Sequence, residues 1–204
     1  MRLLIGPIPE AEGFHPKRRG WTKLKEPSFN MLMLLSIPTA LLIAVGILFA
    51  WVALARVHGI EELIQIVFTP GTLLSSIAAF VGLIVGHEMV HLVALPKCGL
   101  TSATVVGFWP QKVTPYVSHE GELSRNRYVL IGLMPLLLLS VVPLLIGLLF
   151  ASMPLWLVVL SIINGFISAG DIINVILLVS QTPRSAIVRS KGLETWWRPL
   201  PKNP

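Results

Sequence analysis

Two histidines four residues apart, with a glutamate directly after the first, make up the stretch His87-Glu88-Met89-Val90-His91. On a helix, positions i and i+4 share a face one turn apart, so the two imidazoles can converge on a single ion. Glu88 sits one position along, close enough to reach a water beside that ion without ligating it. This is the HExxH arrangement, in which two histidines hold zinc and the glutamate is the general base. A catalytic zinc takes three protein ligands and keeps one position open. One Zn2+ per chain is therefore expected, and a third donor must come from elsewhere.

The elements that must position this cluster are apolar. Of 204 residues, 54% are hydrophobic and only 13% charged, and the mean hydropathy is +0.77. Soluble domains carry nearer a quarter charged residues. The apolar residues collect in four blocks of bilayer-spanning length, residues 31–55, 72–95, 128–151 and 155–180. Pro38, Pro135 and Pro143 fall inside these blocks and predict kinks rather than breaks. The expected fold is an all-α membrane protein of four transmembrane helices, with one four-span domain over residues 31–180. Residues 1–30 form an irregular interfacial arm and 181–204 a tail.

Outside the spans, fifteen of the sixteen lysines and arginines fall in the arm, in the loop between spans two and three, and in the tail. Arg56 alone lies on the other side. The positive-inside rule puts both termini and the central loop in the cytoplasm. The same distribution accounts for the basic charge without nucleic acid as a partner. Trp21, Trp196, Trp197 and Arg198 suit the headgroup layer, and Gly59–Phe68 reads as a short amphipathic helix on the outer side. The loop 97–127 is rich in Thr, Val and aromatics around Gly107 and Pro110, and reads as a β-hairpin or extended ribbon. A tight turn around Ser152–Pro154 joins spans three and four. Cys98 is the only cysteine, which excludes an internal disulfide and a cysteine-based zinc cage. Pro7 and Pro9 interrupt the first apolar run, so no cleavable leader is expected.

Within the spans, the ionisable residues besides the motif reduce to Asp171. An ionisable group in hydrocarbon costs roughly 2.5–3.5 kcal/mol or more, so it needs a partner or a wet cavity. His87 lies 15 residues from the start of span two and Asp171 16 from the start of span four, which runs the same way. At about 1.5 Å per residue their depths agree. Gly165, Ser168, Ala169 and Gly170 would let the helices approach. His119 is the competing third ligand, with Glu120 and Glu122 as loop alternatives; His15 and His58 read as solvated.

These residues carry a resemblance. "GHEMVH" at 86–91, "LSRNRYVLIGLMP" at 123–135 and "NGFISAGDIINV" at 164–175 resemble the site-2 class of intramembrane metalloproteases. They are most similar to the small four-span bacterial and archaeal group known as "putative zincin peptidases". The resemblance spans roughly residues 70–180. It implies a prokaryotic cell-membrane metalloprotease in which His87, His91 and Asp171 hold zinc, Glu88 is the base, and Asn164 lies near the substrate. The order Gly170-Asp171, with no proline after Asn164, departs from the site-2 pattern. The expected function is zinc-dependent hydrolysis of peptide bonds in membrane-associated protein or peptide substrates, near the cytoplasmic side of the bilayer. The alternatives are a catalytically inactive metal-binding membrane module and a metal transporter or sensor.

Overall fold

A computed structural model describes residues 1–11, 13–16, 20–59, 70–150 and 154–200. Helix α1 (Phe29–Val57) starts at Ser28, whose hydroxyl accepts the Met31 N–H, and continues through Pro38. Helix α2 (Pro70–Ala94) carries the histidine pair near its C-terminal end. The third apolar block is assembled from α3 (Arg125–Leu136), a π turn (Leu137–Val141) and α4 (Val142–Gly147). The fourth is not one helix over 155–180. It is α5 (Leu155–Ile167) followed by α6 (Ala169–Gln181), bent by 43°. Ser168 lies at the break. Its hydroxyl donates to the Asn164 carbonyl at 2.8 Å, a bond back to i−4 that bends helices. Three helices are long and apolar enough to span a membrane, or four if the bent pair is one span. The segment expected to form an outer amphipathic helix and the turn at Ser152 lie outside the described residues.

Large apolar side chains such as Leu42, Phe49, Leu73 and Leu74 are mostly exposed on these helices. A soluble monomer rarely presents so continuous an apolar surface, whereas lipid covers it without cost. The inward faces pack. Ile47, Trp51 and Leu54 of α1 are buried against Leu136, Leu144, Val158 and Ile162. The Trp51 indole N–H is satisfied by the Ser161 hydroxyl at 2.8 Å. His58, expected to be solvated, bonds the Gly147 carbonyl at 3.0 Å and ties the end of α1 to α4.

The fold is not all-α, because the polar segments form two small sheets. The arm supplies β1 (Arg2–Ile5) and β2 (Thr22–Lys23). The central loop supplies β3 (Thr104–Trp109), β4 (Thr114–His119) and β5 (Leu123–Ser124). The tail supplies β6 (Ala186–Lys191) and β7 (Glu194–Pro199). The expected hairpin is β3–β4; β1 joins it in parallel to give the order β1-β3-β4. The second sheet, β2-β7-β6-β5, draws on all three segments. Trp21 and Trp196 do not lie in an exposed interfacial belt; they are buried with Ala11 and Phe14 where arm and tail meet. At the hairpin tip, the Lys112 ammonium lies 3.0 Å from the centroid of Phe29, the first residue of α1.

Glu26 precedes α1 and accepts the Thr195 N–H of β7 at 3.0 Å. Burial pushes its carboxyl above the usual carboxylate range, against the opposing pull of Thr195 and Lys23, and Glu194 adds a like charge. A folded state that holds this proton more tightly than the unfolded chain is most favoured in acid. It loses that advantage as pH climbs through the raised value. Glu26→Gln keeps an acceptor and removes the charge. In melts of the detergent-purified protein, the variant should exceed wild type by a few degrees at neutral pH and converge with it near pH 4. Equal melting points at both pH values would contradict this.

Candidate metal centre

The site forms where α2, α3 and the α5–α6 pair meet. His87 and His91 project from successive turns of α2, ring centroids 5.0 Å apart. Asp171, in the first turn of α6 just past the bend, turns its carboxylate between them. Its Oδ2 lies 3.1 Å from His87 Nε2 and 3.3 Å from His91 Nε2. The depth argument from the sequence thus corresponds to direct contact. Of the small residues expected to allow close approach, Gly170 does not, and the tight contact beside Asp171 is made by Gly132. A Cβ at Gly132 of α3 would stand 2.7 Å from Val175 of α6, whereas one at Gly170 would meet nothing within 4 Å. Gly165, as expected of a small residue, admits a neighbouring helix, taking Ile47 of α1.

Hydrogen bonds behind the rings fix their tautomers. His91 Nδ1 faces the Ile131 carbonyl at 3.0 Å. A carbonyl can only accept, so Nδ1 carries a proton, and in the neutral ring Nε2 presents a lone pair. His87 Nδ1 faces Asn164 Oδ1 at 3.0 Å. The other end of that carboxamide, Nδ2, donates to the Pro135 carbonyl and to Ser140 Oγ, each at 2.9 Å. The Pro135 carbonyl sets the amide orientation, so Oδ1 must accept from His87 Nδ1–H, and Nε2 is again bare. Asn164 was expected near the substrate. It is wholly buried behind His87, with both ends of its amide engaged.

With both rings neutral, two lone pairs and a carboxylate oxygen thus face one another, an arrangement that a metal cation would satisfy, as would a proton on either ring. The three candidate ligand atoms lie within 4.8 Å of one another. Donors about 2.0–2.1 Å from a tetrahedral zinc stand roughly 3.3 Å apart, and the two contacts to Asp171 match that figure. The residues present therefore fit a zinc ion.

The competing ligands are elsewhere engaged. His119 Nδ1 pairs with Thr104 Oγ1 at 3.3 Å, and burial holds its imidazole below the ordinary histidine range. Glu120 pairs with Arg2 and Glu122 with Arg198. Among the described residues, His87, His91 and Asp171 are the group of three side chains able to share a metal.

A cavity of about 460 Å³ opens beside this cluster, lined by Glu88 as well as His87, His91 and Asp171. All of β4 lines it as well, and the C-terminal hairpin contributes Thr195. The Val117 main chain of β4 lies against the Glu88 carboxylate. Tyr128, also on the cavity wall, was not singled out from the sequence. Its partners Ser190 and Thr195 belong to a tail hairpin that no local pattern links to it.

Comparison with known proteins gives one match. The model of the family described as "Putative zincin peptidase" matches residues 79–187, from the middle of α2 to the start of β6. No curated protein and no solved structure matches the chain.

Proposed function

The chain belongs to the "Putative zincin peptidase" family, and from that premise we propose that it is a membrane-embedded zinc endopeptidase cutting membrane-associated substrates near the cytoplasmic leaflet. The observation that carries this reading is the convergence of His87 Nε2, His91 Nε2 and Asp171 Oδ2 beside a cavity that Glu88 also lines. A zinc bound by these three residues would polarise the scissile carbonyl and acidify the attacking water. Glu88 takes the proton from that water on a carboxylate oxygen and hands it to the amine nitrogen as the peptide bond breaks. Asn164 and Ile131 hold the Nδ1 side of His87 and His91, leaving Nε2 of each ring to face the site. A purely structural metal site would have no use for Glu88.

Pairing between the polar segments supports the topology. Arm, central loop and tail are hydrogen-bonded into shared sheets, so they lie on one side of any membrane the helices cross. The chain must then cross an even number of times between arm and loop, and again between loop and tail. Four crossings satisfy this, with α5–α6 as a single bent span. The lysine and arginine excess makes the shared side cytoplasmic.

A helical substrate hides its carbonyls and must unwind before cleavage. β4 is an outer strand of its sheet and lines the cavity. An extended peptide can add to that edge and lie across Glu88. A transporter would need further ligands along a path, and among the described residues the metal-capable group is this single cluster.

The test is cleavage of a single-span peptide library by the full-length protein in proteoliposomes, read by mass spectrometry. Cuts should fall near the cytoplasmic boundary, stop on chelation with phenanthroline and return with zinc. Cleavage indifferent to the chelator, or none against any member of the library, would count against the reading.

A further inference from the structure

Pro135 lies wholly buried inside α3, where a proline is the least favourable residue. We infer that Pro135, with the π turn that follows it, is a positioning device for both candidate zinc-binding histidines; this rests on the metal-site reading above.

The geometry works through two atoms, one missing and one present. In an uninterrupted helix the Ile131 carbonyl accepts the N–H of residue 135. Proline has none, so that carbonyl is left free, and His91 Nδ1–H takes it at 3.0 Å. Pro135's own carbonyl sits where the ladder widens into the π turn Leu137–Val141, and it accepts Asn164 Nδ2 at 2.9 Å. Ser140, inside that turn, spends its proton on the Ser161 carbonyl at 2.7 Å. Its oxygen then serves as the second acceptor for Asn164 Nδ2, at 2.9 Å. The amide thus oriented presents Oδ1 to His87 Nδ1. One residue therefore supports His91 by the N–H it lacks and His87 by the carbonyl it offers. π turns recur at functional sites, and partners behind a ligating histidine fix its tautomer and orientation.

This inference separates metal binding from stability. Pro135→Ala restores the N–H, which competes with His91 for the Ile131 carbonyl while completing the helix. In full-length protein in detergent, zinc affinity measured against a chromogenic chelator should fall by about 10–100-fold. The visible spectrum of the cobalt-substituted protein should shift, and the metal-free melting temperature should hold or rise. Asn164→Ala leaves Pro135 in place but removes the carboxamide that joins its carbonyl and Ser140 to His87; it should weaken zinc in the same range. It keeps the His87 branch of the inference testable if Pro135→Ala does not fold. Wild-type affinity and cobalt spectrum in Pro135→Ala, or wild-type affinity in Asn164→Ala, would overturn the inference and leave the peptidase reading standing. A wild type that binds no zinc would overturn both.

Discussion

Asp171→Ala is expected to purify with almost no zinc under conditions where the wild type retains one ion per chain. Sites with four protein ligands bind zinc with roughly 10–16 kcal/mol, or about 2.5–4 kcal/mol per ligand. Losing one of three ligands should therefore weaken affinity by about two to three orders of magnitude. The loss is specific in origin, because among the described residues Asp171 is the acidic group placed between the two Nε2 atoms. Asp171→Asn is the volume-matched control. It keeps one carbonyl oxygen near His87 and His91 but loses the charge, and its affinity should fall between the two. Metal analysis of the three purified proteins, side by side, reads the result. Equal zinc in wild type and Asp171→Ala would remove Asp171 from the ligand set, and with it the match to tetrahedral spacing.

That carboxylate could be found from the sequence because membranes make ionisable residues expensive, so one aspartate in a fourth apolar block has few explanations. Counting residues from the start of each span then placed it level with His87, which is sound because a helix rises uniformly. The same counting could not foresee the bend at Ser168, because a hydroxyl bonding back to i−4 leaves no mark on hydropathy. It also credited Gly170 with a close approach that Gly132 makes, since any glycine in a span looks alike until its neighbouring helix is known. The sheets were least legible. β2 is two residues long, and β1 pairs with a strand about a hundred positions away, so neither has a local pattern. Asn164 illustrates a different limit. Its place seven residues before Asp171 fitted a family pattern, but the partners of its amide are set by Pro135 and Ser140 on another helix. Residue type marked it as polar and intramembrane; only packing decides which neighbour its amide serves.

The second large effect separates the base from the ligands. Glu88→Gln should keep the full zinc complement and lose cleavage by about two to four orders of magnitude, the range that general base catalysis contributes. Glutamine has nearly the same shape and can still lie beside the Val117 main chain of β4, so the cavity and the sheet edge should be undisturbed. What it cannot do is accept a proton from water and carry it to the departing amine. The pairing of outcomes is what discriminates. An inactive metal-binding module would show unchanged zinc and no proteolysis in either protein. A transporter would retain its transport in the variant, because Glu88 is not among the three residues that could hold the ion. Only a peptidase combines intact metal, intact fold and lost turnover in one conservative substitution. A Glu88→Gln protein that cleaves at the wild-type rate would therefore exclude Glu88 as the base, even if every histidine holds its metal as described.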